Sequence, residues 1–405
     1  MPSGGKGHGM HKPLAIIHIG AGYFQLASIR WAQEAGLFTV ATDRNPAAPG
    51  AAHADSFVSV AGDDTQAIMR LAEDICLDYT LVDIWGHADF CLMPRARVLK
   101  ALGIPAVPPE IVATALQKDK AKLIWQARGI ATPRAQVITD ADKAYQAVLD
   151  IGLPAIIKPL GASGSMGITR IEHESAIDVA YQKACAFGDS ILVESYLTGR
   201  EFGVNGIFDK GRFHPCGISE RRTDSCRITE IIVPAPLPPD LARAVYGLLE
   251  DASRSLGITE GCVKGDCILV GEKPFIIEMT PRLHGNPTMS HVVPMATGKN
   301  PIRTWFGIVA GENNPLRHLR ADRRQYAGYR PLFCGGGVIR AVDGLERAAA
   351  VPGIAAVELF LRPGQTVTCH GDNRDIMGYL FAVAKDPASL REILDTAQAY
   401  VRIAV

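Results

Sequence analysis

The chain has 405 residues, Lys plus Arg and Asp plus Glu both number 42, and the formal net charge at pH 7 is zero. That length exceeds what one core supports and predicts two or three domains, while the balanced charge excludes a global field for drawing nucleic acid or an anionic membrane. Nine cysteines without a C-x-x-C pair, the closest being Cys216 with Cys226 and Cys262 with Cys267, lack histidines at zinc-finger spacing and predict reduced, mostly core thiols of a cytoplasmic protein.

Residues 1–13 open glycine-rich and polar, and are expected to form a flexible leader without the apolar centre of a signal peptide. No stretch reaches the roughly 18 uninterrupted apolar residues of a membrane span. From Leu14 to about Pro109 strand-like runs alternate with helical ones: AIIHIG, FQLASIRWAQEAG, TVATD, DTQAIMRLAEDI and YTLVDIWG. This is the pattern of a parallel sheet with helices on its faces. The glycine turn after the first run raises a dinucleotide fingerprint, G-x-G-x-x-G, with Gly20 and Gly22 in place, Gln25 where the third glycine belongs, and Asp43 at a ribose-like distance.

A helix is expected from Ile111 to about Arg128, stopped by GIATP. Beyond Thr132 the runs AIIKPL, GITRI, ILVESYL, EFGVNGIF, CILV and PFIIEM are strands between glycine loops, and ESAIDVAYQKACAF and PDLARAVYGLLEDASRSLG are helices, an α+β order. From about Asn313 an Arg-rich connection leads to GGGVIRAV, AVELFLRP, YLFAVA and the helix SLREILDTAQAYV.

Chemistry concentrates in the middle of the chain. The loop of IIKPLGASGSMGITRI presents backbone N–H groups that nothing at Cβ obstructs, with Lys158 on the strand before it; it binds phosphate oxygens or is an ordinary hairpin loop, and it is not a P-loop. Glu194 and Glu201 flank a Tyr-Leu-Thr-Gly turn, either as acceptors for a nucleoside's amine and hydroxyls or as a solvated turn. Lys118 and Lys120 are ordinary helix-surface charges by the same reading. Asp266 and Glu278 lie in runs too apolar to hold an unpaired acid: they either hold magnesium that bridges polyphosphate or make salt bridges with Lys264 and Arg282.

In order along the chain, DKAKLIWQARGIATP, IIKPLGASGSMG, VESYLTGREF and IIEMTPR resemble segments of the ATP-grasp superfamily of carboxylate–amine ligases, including biotin carboxylase, D-alanine:D-alanine ligase and the bacterial L-amino acid ligases. The tail GGGVIRAVDGLERAAAVPGIAAVELFLRPGQTV resembles the C-terminal domain of the L-amino acid ligases in particular, so the likeness covers nearly the whole chain. It implies a fold of mixed α/β and α+β class: an N-terminal doubly wound parallel-sheet domain over 14–115, an ATP-grasp domain over 116–312 with a mobile lid at about 130–195, and a small α+β domain over 313–405.

By the same resemblance Lys120 and Lys158 match the lysines on the α- and β-phosphates, and Ser163, Gly164, Ser165 and Gly167 match the loop over the γ-phosphate. Glu194 matches the acid near the adenine amine, Tyr196 and Leu197 the hinge beside the base, and Glu201 the ribose acid. Asp266 and Glu278 match magnesium ligands, Arg282 the group that steadies the transferred phosphoryl, and Lys264 a further cation. Thr280 stands where many members carry asparagine, which weakens the case for a second magnesium. ATP and one or two Mg2+ ions, with Mn2+ as a substitute, are the implied cofactors.

The implied reaction is acyl-phosphate formation from a carboxylate and ATP, then amine attack, with no covalent enzyme nucleophile. Acceptor contacts are expected from Arg221 or Arg222, from His284 as a base and Gly285 beside it, and from N–H groups at Gly20 and Gly22. Surface arginines and a loop histidine bound to a carbonyl are the plainer readings. Small-molecule substrates and a homodimer complete the expectation; a carboxylase or formyl-transfer enzyme, or a dinucleotide-dependent oxidoreductase using residues 15–46, are the competing activities.

Overall fold

The computed structural model describes residues 12–161, 166–224, 227–285 and 287–405. Most of the expected leader, and the loop residues Ser163, Gly164 and Ser165, therefore lie outside the described residues. Two compact units form, one from residues up to 109 together with 302–315, the other from 110–301 together with 316–405. Among the described residues no helix is long and apolar enough to cross a membrane.

The first unit is built on strands β1 (Leu14–Ile19), β2 (Phe38–Thr42), β3 (Ser56–Val58) and β4 (Thr80–Gly86), all parallel in the order β3-β2-β1-β4. Burial on both faces explains why β1 is almost wholly apolar. Ile17, Ile19, Val40 and Ile84 pack with Ile68 and Ala72 of the helix Thr65–Asp78 and with Val98 and Leu99 of the helix Leu92–Ala101. The sequence signals missed β3, whose three residues are too few to show a period. Residues 302–315, expected in the ATP-grasp domain, join this unit instead: Trp305 Nε1 donates to Asp83 Oδ2 at 2.7 Å, and Phe306 meets the ring of Trp85 edge-on at 5.1 Å. Buried Asp83 is completed by Arg95, whose Nε and Nη2 donate to Oδ1 at 3.0 and 2.8 Å.

In the second unit a four-stranded antiparallel sheet, order β5-β8-β6-β7, comprises β5 (Ala135–Ile138), β6 (Ala155–Pro159), β7 (Thr169–Ile171) and β8 (Ile191–Ser195). Two amphipathic helices cover it with residues at i, i+3, i+4 and i+7: Ala144, Ala147, Val148 and Ile151 from one, Ile177, Ala180, Tyr181 and Ala184 from the other. The first begins at Asp140, whose side chain accepts from Lys143 N.

The larger sheet is antiparallel throughout. Its strands are β9 (Arg200–Asp209), β10 (Arg212–Asp224), β11 (Arg227–Val233), β12 (Gly261–Val270), β13 (Lys273–Thr280), β14 (Tyr326–Phe333), β15 (Ile354–Leu359) and β16 (Ile376–Ala384), in the order β13-β12-β9-β10-β11-β14-β16-β15. The strands beyond 313 thus continue the central sheet. Gly328 permits this junction, since a Cβ there would stand 2.4 Å from Ile231 O on β11. The helix Pro387–Tyr400 buries Leu390, Leu394 and Ala397 against Leu380 and Ala382.

Candidate active site

All but two of the described residues singled out from the sequence as site candidates fall in the second unit, and the register of its strands places them. Lys158 lies two positions along β6 from Ile156, which is opposite Glu194 on β8, so the two side chains share a face. Lys158 Nζ is 3.0 Å from Glu194 Oε1, and both are buried. A second lysine completes the triad, with Lys122 Nζ 2.8 Å from Glu194 Oε2.

The lysine of this helix that meets Glu194 is Lys122, where the resemblance singles out Lys120. On the helix Lys118–Ala127 the buried face is Ala121, Lys122 and Trp125, and Lys120 is exposed on the other side. Trp125 Nε1 donates to Ala252 O at 3.2 Å and fixes the helix's rotation. Lys122 also donates to Thr132 Oγ1 at 3.1 Å, and that hydroxyl donates to Ile276 O of β13 at 2.8 Å. The missed signal was helical phase: Lys122 is three residues before Trp125.

Burial pushes the Lys122 ammonium down to about 8 from its ordinary 10.5; Glu194 pulls the other way and Lys158 adds to the fall. Burial alone would raise the Glu194 carboxyl, but Lys122 and Lys158 outweigh it and hold it below the usual range. As pH rises through 8 the folded chain loses a proton that the unfolded chain keeps to about 10.5, so this group adds stability with rising pH over that window. Its effect on capture of an anionic ligand is opposite, because the neutral amine offsets no phosphate charge. The expected result is that kcat/KM for ATP falls with a midpoint near pH 8, and that Lys122→Arg removes this limb. A profile that is flat from pH 7 to about 9.5 in the unaltered protein overturns it.

Between β8 and β9 the chain crosses from one sheet to the other. Tyr196 N donates to Pro154 O at 3.0 Å, the Arg170 guanidinium covers the Tyr196 ring at 4.1 Å, and Leu197 is half-buried. Gly199 is required there, because a Cβ would fall 2.2 Å from Leu269 O. Glu201 accepts from Arg221 Nε and Thr223 Oγ1, each at 3.1 Å. Gly167, at the far end of the glycine loop, has φ +70°.

On β12 and β13, Asp266 lies directly opposite Glu278, and Lys264 opposite Thr280. Lys264 Nζ bridges the carboxylates, 2.8 Å from Asp266 Oδ2 and 2.8 Å from Glu278 Oε1. Asp266 Oδ1 also meets Arg221 Nη1 at 3.2 Å and His284 Nε2 at 3.0 Å. Lys264, Arg221 and the His284 hydrogen bond together outweigh burial and hold the Asp266 carboxyl well below its ordinary value. Arg282 is half-buried, its Nη1 donating to Leu283 O at 3.0 Å.

Among the described residues, no three or more His, Cys, Asp or Glu side chains converge as a metal cage. Thr280 Oγ1 is buried without a hydrogen-bond partner there. Two carboxylates in register beside an unsatisfied hydroxyl are oxygen donors of the kind magnesium takes when substrate phosphates complete its shell. The residues present fit that ion, and Lys264 and Arg221 together offset the pair's charge without it.

Strand alternation separates the two arginines. Arg221 is on the face of Asp266; Arg222 points to the other face and is largely exposed, 3.6 Å from Glu230. Arg222 therefore does not share the face of Asp266 and Glu201. His284 corrects a second expectation. Its ring lies over Gly203, where a Cβ would stand 2.9 Å from Cε1, and both ring nitrogens face acceptors, Nε2 on Asp266 and Nδ1 3.1 Å from Asn205 Oδ1. Burial, aided by Lys264 and Arg221 against the pull of Asp266, lowers its pKa to about 4. This geometry suits a group that orients Asp266 better than a base for an incoming amine, and Gly285 follows it, half-buried.

Asn205, absent from the sequence signals, sets that orientation: its Oδ1 accepts His284 N at 2.9 Å. Asn205→Ala is expected to lower kcat about 10-fold with KM for ATP little changed, as for loss of a supporting hydrogen bond. Unaltered kcat, measured by ADP release, removes the assignment.

The remaining two candidates, Gly20 and Gly22, are in the first unit. Gly20 has φ +93° and its N–H donates to Thr42 O at 2.7 Å. Asp43 is turned back onto this loop, accepting from Ala21 N and Asn45 N, each at 2.9 Å. The Gln25 amide lies against both glycines, 3.4 Å from a Cβ built at Gly20 and 3.1 Å from one at Gly22. A ribose acid and an open pyrophosphate turn are thus both lacking, which argues against the oxidoreductase reading.

Two family models match in succession, the D-ala D-ala ligase C-terminus over residues 124–278 and the L-amino acid ligase C-terminal domain 2 over 330–405. The L-amino acid ligase from Bacillus licheniformis superposes with a TM-score of 0.82 at 18% identity, covering 97% of this chain and 99% of that one. The chain resembles these ligases in both matched segments and has the ATP-grasp fold.

Other ATP-grasp structures align similarly: phosphoribosylglycinamide synthetase from Anaerococcus prevotii at TM-score 0.76 and 19% identity, over 97% of this chain and all of that one (100%). Among curated relatives, a D-alanine–D-alanine ligase from Aromatoleum aromaticum is 30% identical over 49% of this chain and 66% of that protein. An uncharacterized protein from Sinorhizobium fredii is 27% identical over 79% of this chain and 67% of its own length. The chain thus spans about two thirds of the length of these curated relatives.

Proposed function

We propose that the protein is an ATP-dependent ligase that activates a carboxylate as an acyl phosphate and couples it to an amine, making an amide or peptide bond on an amino-acid-like substrate and releasing ADP and phosphate. The observation that carries this reading is the opposed pair Asp266 and Glu278, set in register on neighbouring strands with Lys264 between them. The likeness to D-alanine–D-alanine ligase and L-amino acid ligase supports the carboxylate–amine class.

In this reading Lys122 and Lys158 leave Glu194 for the α- and β-phosphates, and the Glu194 carboxylate accepts the adenine amine. Tyr196 and Leu197 border the base, Glu201 takes the ribose hydroxyls, and the loop from Ser163 to Gly167 covers the γ-phosphate. Asp266, Glu278 and Thr280 hold magnesium, or manganese in its place; the ion, when bound, supplies charge neutralisation on the phosphates. Lys264 and Arg282 offset the charge of the transferring phosphoryl group, and Arg221 presents a guanidinium to the substrate carboxylate. Gly285 is a proposed substrate contact through its backbone N–H, whereas the Gly20 N–H is already spent on Thr42 O. In this reading residues 116–301 form the catalytic domain with its lid at 130–195, and 316–405, which continue its central sheet, the accessory part.

The test is release of phosphate by the purified chain with ATP, magnesium and pairs of amino acids. Release that requires both a carboxylate and an amine supports the reading, as does a hydroxamate when hydroxylamine replaces the amine. Phosphate released equally without any carboxylate overturns it. Action in the cytoplasm as a homodimer belongs to the same proposal, and light scattering of the purified chain tests the dimer.

A further inference from the structure

Away from the nucleotide-side residues, the C-terminal segment gathers two cysteines, a histidine, an arginine and a buried aspartate. Cys334 follows β14 and is half-buried; Cys369 follows the short strand Thr366–Val367 and is exposed. That strand pairs with Gly337–Val338, Gly337 opposite Val367, which brings the two cysteine-bearing stretches together. A Cβ built at Gly336 would stand 3.3 Å from Cys369 N and 3.5 Å from its Cβ. Burial, then the charge of Cys369 and of Asp375, raises the Cys334 thiol above its ordinary value.

Cys369 is held at the rim of an ordered loop. Its Sγ accepts from Arg227 Nη2 at 3.6 Å and donates to Asp375 Oδ2 at 3.5 Å. Asp375, fully buried, accepts from His370 N and Gly371 N at 2.7 Å each and from Arg227 Nη2 at 2.9 Å, with His370 Nδ1 at 3.1 Å. The exposed sulfur therefore has a guanidinium against it and a second, half-buried sulfur on the adjoining stretch.

We propose that Cys334 and Cys369 are an oxidisable thiol pair, a modification site that closes to a disulfide by exchange with a low-molecular-weight disulfide, RSSR. The Cys369 thiolate attacks one sulfur of RSSR, forming a mixed disulfide and expelling RS⁻. Cys334, having given its proton to solvent, attacks Cys369 Sγ and expels the second RS⁻. The two protons released by the protein thiols leave with two RSH, and the two electrons given up by the cysteines reduce RSSR. Its exposure sets Cys369 as the attacking thiol, and the half-buried Cys334 resolves.

The test incubates the full, reduced chain with millimolar glutathione disulfide, blocks remaining thiols with iodoacetamide and maps peptides by mass. The expected result is a cross-link between the Cys334 and Cys369 peptides that dithiothreitol reverses. Cys334→Ser is expected to stop at a glutathione adduct on Cys369, and Cys369→Ser to slow loss of the Cys334 thiol at least ~10-fold. A persistent adduct on Cys369 in the unaltered chain, with Cys334 still alkylated, overturns the pairing. So does failure of both cysteines to react with glutathione disulfide.

Discussion

Lys122→Met is expected to lower kcat/KM for ATP by ~10²–10³-fold, the scale for removing a preorganised charge from a water-poor site, while Lys120→Met stays within about 2-fold. The contrast rests on geometry. On a helix the two positions are about 200° apart, so one lysine in this stretch faces the site and the other faces water. Lys122 is inward because Trp125, one turn on, is anchored to Ala252. The fold should survive the change, since Glu194 keeps Lys158 at 3.0 Å; a loss of about 1–3 kcal/mol is expected for the partner removed. Steady-state ADP release with a thermal melt of each variant reads both quantities. Equal losses for the two lysines remove Lys122 from the site.

Glu278→Gln is expected to lower kcat at least ~10²-fold with a small change in melting temperature. Glu278 is half-exposed and its carboxylate meets Lys264, so its neutral analogue disturbs little around it. Asp266→Asn should abolish activity too, but at a cost in stability: Lys264 and Arg221 converge on that carboxylate, and removing its charge leaves buried cations uncompensated, about 3–5 kcal/mol by the usual cost of breaking such a pair. The order of the two melts tests the electrostatic picture separately from the chemistry. Substrate-dependent ADP release unchanged in Glu278→Gln removes the proposed metal and phosphate role of the pair.

Composition and local runs made much of this architecture legible. Acids in apolar strands pointed to Asp266 and Glu278 because an unpaired buried carboxylate is too costly to keep, and alternating runs gave the parallel sheet of the first unit. Phase was harder. Lys120 and Lys122 differ only in which way the helix is turned, and Arg221 and Arg222 only in which face of β10 is inward; both are decided by distant partners, Ala252 and Asp266, that no local window contains. Asn205 was invisible for a related reason. A single amide in a strand has no pattern, and its role exists only once His284 has been laid over Gly203.

The route of the chain through the first unit has a consequence for how it is made. Its parallel sheet is finished by residue 86, yet the residues that close over Asp83 and Trp85 arrive only with Trp305 and Phe306. During synthesis the N-terminal half-domain must wait for about 200 more residues to leave the ribosome, and folding through so distant a contact is slow. A gene fragment ending near residue 109 is therefore an incomplete protein, with Asp83 Oδ2 short of its indole donor. A linker that carries 302–315 back to such a fragment returns that donor to Asp83.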